Sequence, residues 1–142
     1  MKTAKQRHCD EGSVTVEMVF MIPALLVVLL MILYVARISD AENSVQSAAQ
    51  EAARAATLSG TPAKAESEAK RVAEENLESA GLGCGGGSTV TVDLSGFGPG
   101  EYVTVSVTCT ATLGDLQTLG VPSTKTFTGQ ASEIIDDYRS QE

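Results

Sequence analysis

Aromatic residues and cations are scarce in this chain of 142 residues. Tryptophan is absent, aromatic residues make up 4%, and 10 lysines and arginines stand against 18 aspartates and glutamates, for a formal net charge of −8. The phosphate backbone repels so acidic a chain, which argues against a nucleic-acid-binding protein. The length leaves room for one small domain at most.

Histidine is nearly absent as well. The one histidine, His8, lies close to the N-terminus. Histidine is the commonest acid–base group near neutral pH and a frequent zinc ligand, so we expect no enzyme activity, no metal site and no cofactor. The carboxylates of Asp115, Asp136 and Asp137 have no spacing that suits a catalytic acid and base.

Charge is missing from residues 18–36, which read MVFMIPALLVVLLMILYVA. At about 1.5 Å per residue, this segment forms a helix of about 28 Å, close to the roughly 30 Å of a bilayer core. A buried core helix is the alternative, but the rest of the chain is too small and polar to surround it. Lys2, Lys5 and Arg7 precede the segment, which predicts a cytoplasmic N-terminus and an acidic body outside.

A carboxylate, Glu17, comes immediately before the apolar segment. A charge at this depth is costly unless it reaches water or finds a cation. A cleaved secretory signal has a shorter apolar region, and a plain signal anchor fits the length, but neither accounts for Glu17. If the chain were cut after Gly12, the free α-amino group of Ser13 could neutralise Glu17 of a neighbouring copy.

The order of Gly12, Ser13, Glu17 and an apolar helix resembles the class III prepilin signal of the type IV pilin superfamily. Within it, GSVTVEMVFMIPALLVVLL, with Pro23 six residues after Glu17, resembles the TadE-like pseudopilins of the tight-adherence, or Flp, pilus system. The resemblance implies cleavage after Gly12 by prepilin peptidase, a membrane aspartyl protease. It also implies that Glu17 and Pro23 act in assembly with other pilins, pseudopilins and the assembly machinery. For Pro23 a tolerated helix kink is the alternative.

Two Ala-rich helices are predicted after the membrane segment. Apolar residues recur at three- and four-residue steps through residues 38–58, with no helix breaker, so we expect the membrane helix to continue outward. Its predicted stripe contains Ile38, Ala41, Val45, Ala48, Ala49, Ala52, Ala55 and Ala56. Gly60 ends this helix, and Thr61 caps a second one with Pro62 at its first position.

Residues 81–87 form a Gly-rich segment that lacks the lysine and hydroxyl residue of a phosphate loop, so we interpret it as a flexible linker. Alternating residues then predict strands at 89–94, 102–111 and 124–129, with a hairpin through Gly96–Gly100. A loop is expected at 115–122. The fold class is therefore α+β, with a small three-stranded antiparallel sheet covered on one face by the helices.

Of the three cysteines, Cys9 lies in the basic head, while Cys84 and Cys109 lie in the body that we place outside the cytoplasm. Disulfides persist in such oxidising compartments. Two thiols with no histidine nearby make a poor metal site, so we favour a Cys84–Cys109 disulfide over a metal-binding or redox-active pair.

These observations divide the chain into six parts. They are a basic leader at 1–12, a transmembrane helix at 13–36, Ala-rich helices at 37–80, the linker at 81–87, a β region at 88–132 and a tail at 133–142. The resemblance implies a single-pass pseudopilin that serves pilus assembly and cell adhesion. The alternative is a signal-anchored extracytoplasmic binding module outside any filament.

Overall fold

The computed structural model describes the backbone of residues 11–112 and 124–136, and the side chains of these residues from Glu17 onward. The elements in chain order are helix α1 (Glu11–Thr57), helix α2 (Pro62–Ser79) and strands β1 (Ser88–Asp93), β2 (Tyr102–Thr112) and β3 (Thr124–Ile134). The predicted α+β class, with its two helices and three strands, is thus confirmed. The loop expected at 115–122 and residues 137–142 of the predicted tail lie outside the described residues.

Helix α1 runs without a break from Glu11 to Thr57 and contains Pro23. The apolar segment therefore continues into the Ala-rich segment as one helix, as the absence of a breaker predicted. The chain divides into two compact units, Met1–Ile38 and Ser39–Glu142. The core described next belongs to the second unit.

The part of α1 inside the second unit buries one stripe of small residues. The buried members are Ala41, Val45, Ala48, Ala49, Ala52, Ala53 and Ala56. This stripe matches the predicted one, except that Ile38 and Ala55 are only half-buried and Ala53 is buried in addition. Small side chains allow other elements to approach the helix backbone closely.

Helix α2 begins and ends where its sequence predicts. The Thr61 hydroxyl accepts a hydrogen bond from the Lys64 backbone N–H at 3.4 Å, and Pro62 follows the cap. At the other end Gly81 has a φ of +67° and the Leu82 N–H bonds to the Leu77 carbonyl at 3.1 Å, which is a Schellman motif. The helix buries Ala65, Ala69, Ala73 and Leu77.

The three strands form one antiparallel sheet in the order β1-β2-β3. Alternate residues of β2 are buried, namely Val103, Val105, Val107, Cys109 and Ala111. On the opposite face, hydroxyl side chains pair across strands, as between Thr104 and Ser132 at 2.8 Å. One face is therefore covered and the other polar, as predicted.

Strand β3 is longer than the sequence predicts. It extends past the expected end at Gly129 to Ile134, which pairs with Tyr102 at the start of β2. Residues 133 and 134, expected in the tail, are therefore in the sheet. Residues 129–132, GQAS, carry no large apolar side chain, so alternation is lost there, and it is pairing with the full length of β2 that keeps the chain extended.

Candidate functional site

The apolar part of α1 is exposed along its length, except for the half-buried Tyr34. Phe20 and Leu25 are 73% and 71% exposed, and Leu30 is 44% exposed. An 18-residue window of this helix has a mean hydropathy of 2.9, and none of that window is buried. It is the one helix in the described residues that is long and apolar enough to cross a membrane, which indicates a single-pass membrane protein.

Glu17 sits immediately before this apolar surface. Its side chain is exposed and makes no ion pair or hydrogen bond with any described residue. Gly12 and Ser13 lie in the first turn of α1. Ser13 and Glu17 are four residues apart, which is about one turn of an α-helix.

Pro23 lies inside the helix, and the helix continues on both sides of it. Proline has no N–H, so the carbonyl of Val19, four residues earlier, loses its partner within the helix. The candidate residues Gly12, Ser13, Glu17 and Pro23 therefore follow one another along a single helix.

Comparison with protein-family models matches residues 12–54 to the family described as TadE-like protein. This segment is therefore similar to the TadE-like family. The match begins at Gly12, contains Glu17 and Pro23 and ends inside α1, so it confirms the resemblance seen in the sequence. Searches of curated proteins and of solved structures gave no significant match.

Outside the TadE-like segment, the structure brings together the two cysteines predicted to pair. Cys84 and Cys109 form a disulfide with a Cα–Cα distance of 5.4 Å. The bond attaches the Gly-rich segment to β2, where Cys109 is fully buried. Two backbone hydrogen bonds lie beside it, from the Gly86 N–H to the Thr110 carbonyl at 3.1 Å and from the Thr110 N–H to the Gly87 carbonyl at 3.0 Å. The end of the expected linker is thus fixed to the sheet.

Gly129 was not among the predicted site residues, yet it places β3 against the α1 backbone. A Cβ atom at this position would lie 2.6 Å from the Val45 carbonyl oxygen and 2.8 Å from the Gln46 Cα. A glycine inside a strand is a known signal for close backbone approach. The sequence shows this glycine, but it does not show which backbone segment lies against it.

Gln46 was also missed. Its Nε2 donates to the Gln130 carbonyl at 2.8 Å, and its Oε1 accepts from the Gln130 N–H at 3.2 Å. The contact joins positions that are 84 residues apart, and no local pattern marks it.

Surface charges in the second unit cluster on α2. Arg71 bonds to Glu68 through Nη2 at 2.7 Å and to Glu75 through Nη1 at 2.7 Å. The hydrogen bond from Arg71, helped by its positive charge, lowers the pKa of Glu68. Within the described residues, no group of three or more His, Cys, Asp or Glu side chains is placed to hold a metal ion.

Proposed function

We propose that this chain is a pseudopilin, a minor-pilin-like subunit for assembly of a tight-adherence, Flp-type pilus, cut by a prepilin peptidase after Gly12. The observation that carries the proposal is the TadE-like match, which begins at Gly12 and covers the exposed apolar helix. The match associates the chain with the tight-adherence pilus system. The proposal assigns the chain no catalytic residue, cofactor or nucleic-acid partner.

In this proposal, cleavage after Gly12 creates a cation that can pair with the Glu17 carboxylate. The new N-terminal amine of Ser13 has a pKa near 8 and is mostly protonated at neutral pH. Glu17 is exposed and has no cation among the described residues. An amine from a neighbouring copy would therefore neutralise it as the helix enters the bilayer, where a charge is costly unless it reaches water or is paired.

Pairing between Ser13 of one copy and Glu17 of the next would also set the stagger of neighbouring helices. The exposed apolar side chains from Met18 to Val35 supply the surface on which lipid or neighbouring pilin helices pack. Pro23 weakens the helix near the start of this surface, which makes local bending easier when the helix leaves the membrane.

The proposed placement follows from the charges that flank the helix. The cations Lys2, Lys5 and Arg7 keep the leader in the cytoplasm, where prepilin peptidase acts, and the acidic body lies outside. The partners are the peptidase, other pilins or pseudopilins, the pilus assembly machinery and the membrane.

The decisive experiment is the intact mass and N-terminal sequence of the protein from native membranes. We expect a chain that begins at Ser13. A chain that begins at Met1 would favour a signal-anchored binding module, and one that begins near Glu42 would indicate a secreted protein. Gly12→Val should leave an uncut precursor, whereas the neighbouring control Thr15→Val should be cut normally.

The role of Glu17 is tested separately from the cut. Glu17→Gln should be processed to Ser13 but should fail to support pilus formation, counted by electron microscopy. Glu17→Asp keeps the negative charge and should support part of the wild-type pilus formation. Normal piliation with Glu17→Gln would contradict the proposed charge pairing but not the proposed cleavage after Gly12.

A further inference from the structure

The two outer strands of the sheet differ in what lies along their free edges. An outer strand presents unpaired N–H and C=O groups, which attract another strand unless they are covered. On β3 the carboxamide of Gln46 takes the place of a neighbouring strand by bonding to both peptide groups of Gln130. An ion pair between Lys125 and Glu42 at 3.4 Å adds a second link between α1 and β3.

The hydrogen bonds of β2 fix which peptide groups of β1 point outward. The Thr110 N–H donates to the Gly87 carbonyl and the Thr110 carbonyl accepts from Gly86, so Thr110 turns both groups toward β1. Peptide groups alternate along a strand, so Ser106 also turns its groups toward β1. There it meets its partner Thr91.

The other side of the sheet gives the same result independently. Gln130 is the β3 partner of Ser106, yet its N–H and C=O bond to Gln46 and therefore point away from β2. Both arguments therefore turn the N–H and C=O groups of Ser106 toward β1. On β1, the peptide groups of Thr91 point toward β2. Those of Ser88, Val90 and Val92 point away from the sheet.

The edge of β1 is open in the part of the chain that the structure describes. No hydrogen bond there involves the backbone groups of Ser88, Val90 or Val92. The protective residues that edge strands commonly carry, lysine and proline, are absent from STVTVD, and Asp93 is its one charged residue.

We propose that the β1 edge pairs with β1 of a second copy of this chain, antiparallel and about a two-fold axis at Val90. This register makes full use of the three outward residues, with Val90 opposite Val90 and Ser88 opposite Val92 of the second copy. Asp93 then lies opposite Gly87 of the second copy, so the two carboxylates stay apart. In this register the strand pairs with itself through its outward peptide groups, and no like charges face each other.

The β3 edge is blocked near its middle, which disfavours further strand addition on that side. A sheet with two open edges would go on adding strands, whereas Gln46 occupies the peptide groups of Gln130 on the far side. The pair is therefore a closed two-fold dimer. A strand of 6 residues buries little area, so the association is weak in dilute solution and strengthened where a shared membrane or filament raises the local concentration.

Two proline variants of the full-length protein in detergent micelles test the proposal. Val90→Pro removes an N–H that points outward, as proline on an edge strand does, and leaves the bonds between β1 and β2. By sedimentation equilibrium we expect a reversible wild-type dimer and a dissociation constant at least ten-fold higher for Val90→Pro, with an unchanged unfolding midpoint. The control Thr91→Pro removes an inward N–H and should lower that midpoint.

A wild-type chain that stays monomeric at all concentrations would overturn the proposal. So would a Val90→Pro dimer as tight as wild type, because the contact would then lie elsewhere, for example on the apolar helix.

Cross-linking keeps the proposal testable if Val90→Pro fails to fold. In the proposed register Thr89 lies opposite Thr91 of the second copy, in a pair without direct hydrogen bonds and about 4.5 Å apart at Cα, within disulfide reach. In a Cys9→Ser background, mixed Thr89→Cys and Thr91→Cys chains should cross-link on mild oxidation, and neither variant alone should do so. Equal cross-linking in all three samples, or cross-linking only to a different protein, would contradict the second-copy assignment.

Discussion

At position 129, the absence of a side chain decides how closely the sheet approaches α1. The nearest atoms that a Cβ would meet are backbone atoms of Val45 and Gln46, at 2.6 to 2.8 Å. Backbone in the middle of a helix cannot move aside as the end of a flexible side chain can. A larger residue must therefore separate β3 from the helix.

We expect Gly129→Ala to lower the free energy of unfolding by about 1–3 kcal/mol, the usual cost of overpacking. The matched control is Gly98→Ala, because a Cβ at Gly98 meets nothing within 4 Å. Urea unfolding followed by circular dichroism measures both. Equal midpoints for the two variants would show that β3 does not need this close approach.

The second residue-scale feature is the covalent bond between Cys84 and Cys109, whose sequence separation is 25. Closing a loop of this length in the unfolded chain is worth about 3.5 kcal/mol on the chain-entropy model. We expect dithiothreitol to lower the unfolding midpoint of the wild type. The control variant Cys84→Ser/Cys109→Ala should have a low midpoint that does not respond to the reductant. If complete reduction leaves the wild-type midpoint unchanged, the disulfide does not stabilise the fold.

At the scale of elements, α2 is specified by signals at its own ends and on its own surface. Its first turn is capped by Thr61, its last turn is closed by Gly81, and its exposed face carries ion pairs three and four residues apart. Each signal acts within a few residues, which is why the bounds of this helix could be predicted.

Removing the cap should destabilise the second unit. Thr61→Ala leaves the Lys64 N–H without its side-chain acceptor, and we expect a loss of about 1 kcal/mol. Ser67→Ala, inside the same helix and exposed, should change stability by less than about 0.5 kcal/mol. Thermal unfolding compares the two variants. A larger loss of stability from Ser67→Ala than from Thr61→Ala would contradict the assignment of Thr61 as the stabilising cap.

The ion pairs of α2 predict a pH dependence. Hydrogen bonds and charge from Arg71 lower the pKa of Glu68 below its usual value of 4.5. A carboxyl whose pKa is lower when folded adds stability above its unfolded pKa and loses that contribution as the pH falls through the folded pKa. We therefore expect wild type to exceed Glu68→Gln in unfolding midpoint at pH 7, with the difference disappearing in acid. A difference that stays constant from pH 7 to pH 3 would exclude this titration as its cause. The effect is small and falls with added salt, because the pair is exposed.

At the scale of the whole molecule, the chain joins an exposed apolar helix to an acidic body, and the formal net charge is −8. The second unit buries mainly alanine and valine, so its core is thin and the disulfide and caps matter more than they would in a larger domain. Among the described residues, none buries the apolar helix in this way, so we expect it to need a lipid or helical environment.

We expect the double variant Val27→Lys/Leu30→Lys to lose membrane association. A lysine near the centre of a membrane helix costs about 2.5–3.5 kcal/mol on insertion scales. Sedimentation of membranes after an alkaline carbonate wash should leave wild type in the pellet and release the variant. Leu58→Lys, which changes an exposed leucine outside the span, is the control and should pellet like wild type. A double variant that also pellets would contradict the transmembrane assignment.

The sequence by itself determined the features that depend on neighbouring residues. The charge-free run from Met18 to Ala36, the cap at Thr61 and the alternation in β2 each carry their own local signal, and the structure has the corresponding elements. The TadE-like match rests on the same kind of signal, since it covers one continuous segment, residues 12–54.

Only the tertiary structure decided the features that join distant positions. Strand β3 extends to Ile134 because β2 offers it partners, Gly129 is required because the backbone at Val45 lies beside it, and Gln46 covers an edge 84 residues away. The same holds for the Gly-rich segment, which composition predicted as flexible and which β2 holds by hydrogen bonds and a disulfide. Local propensity fixes the conformation that a segment prefers, whereas the end of a strand and the need for a glycine depend on which other backbone the fold brings against it.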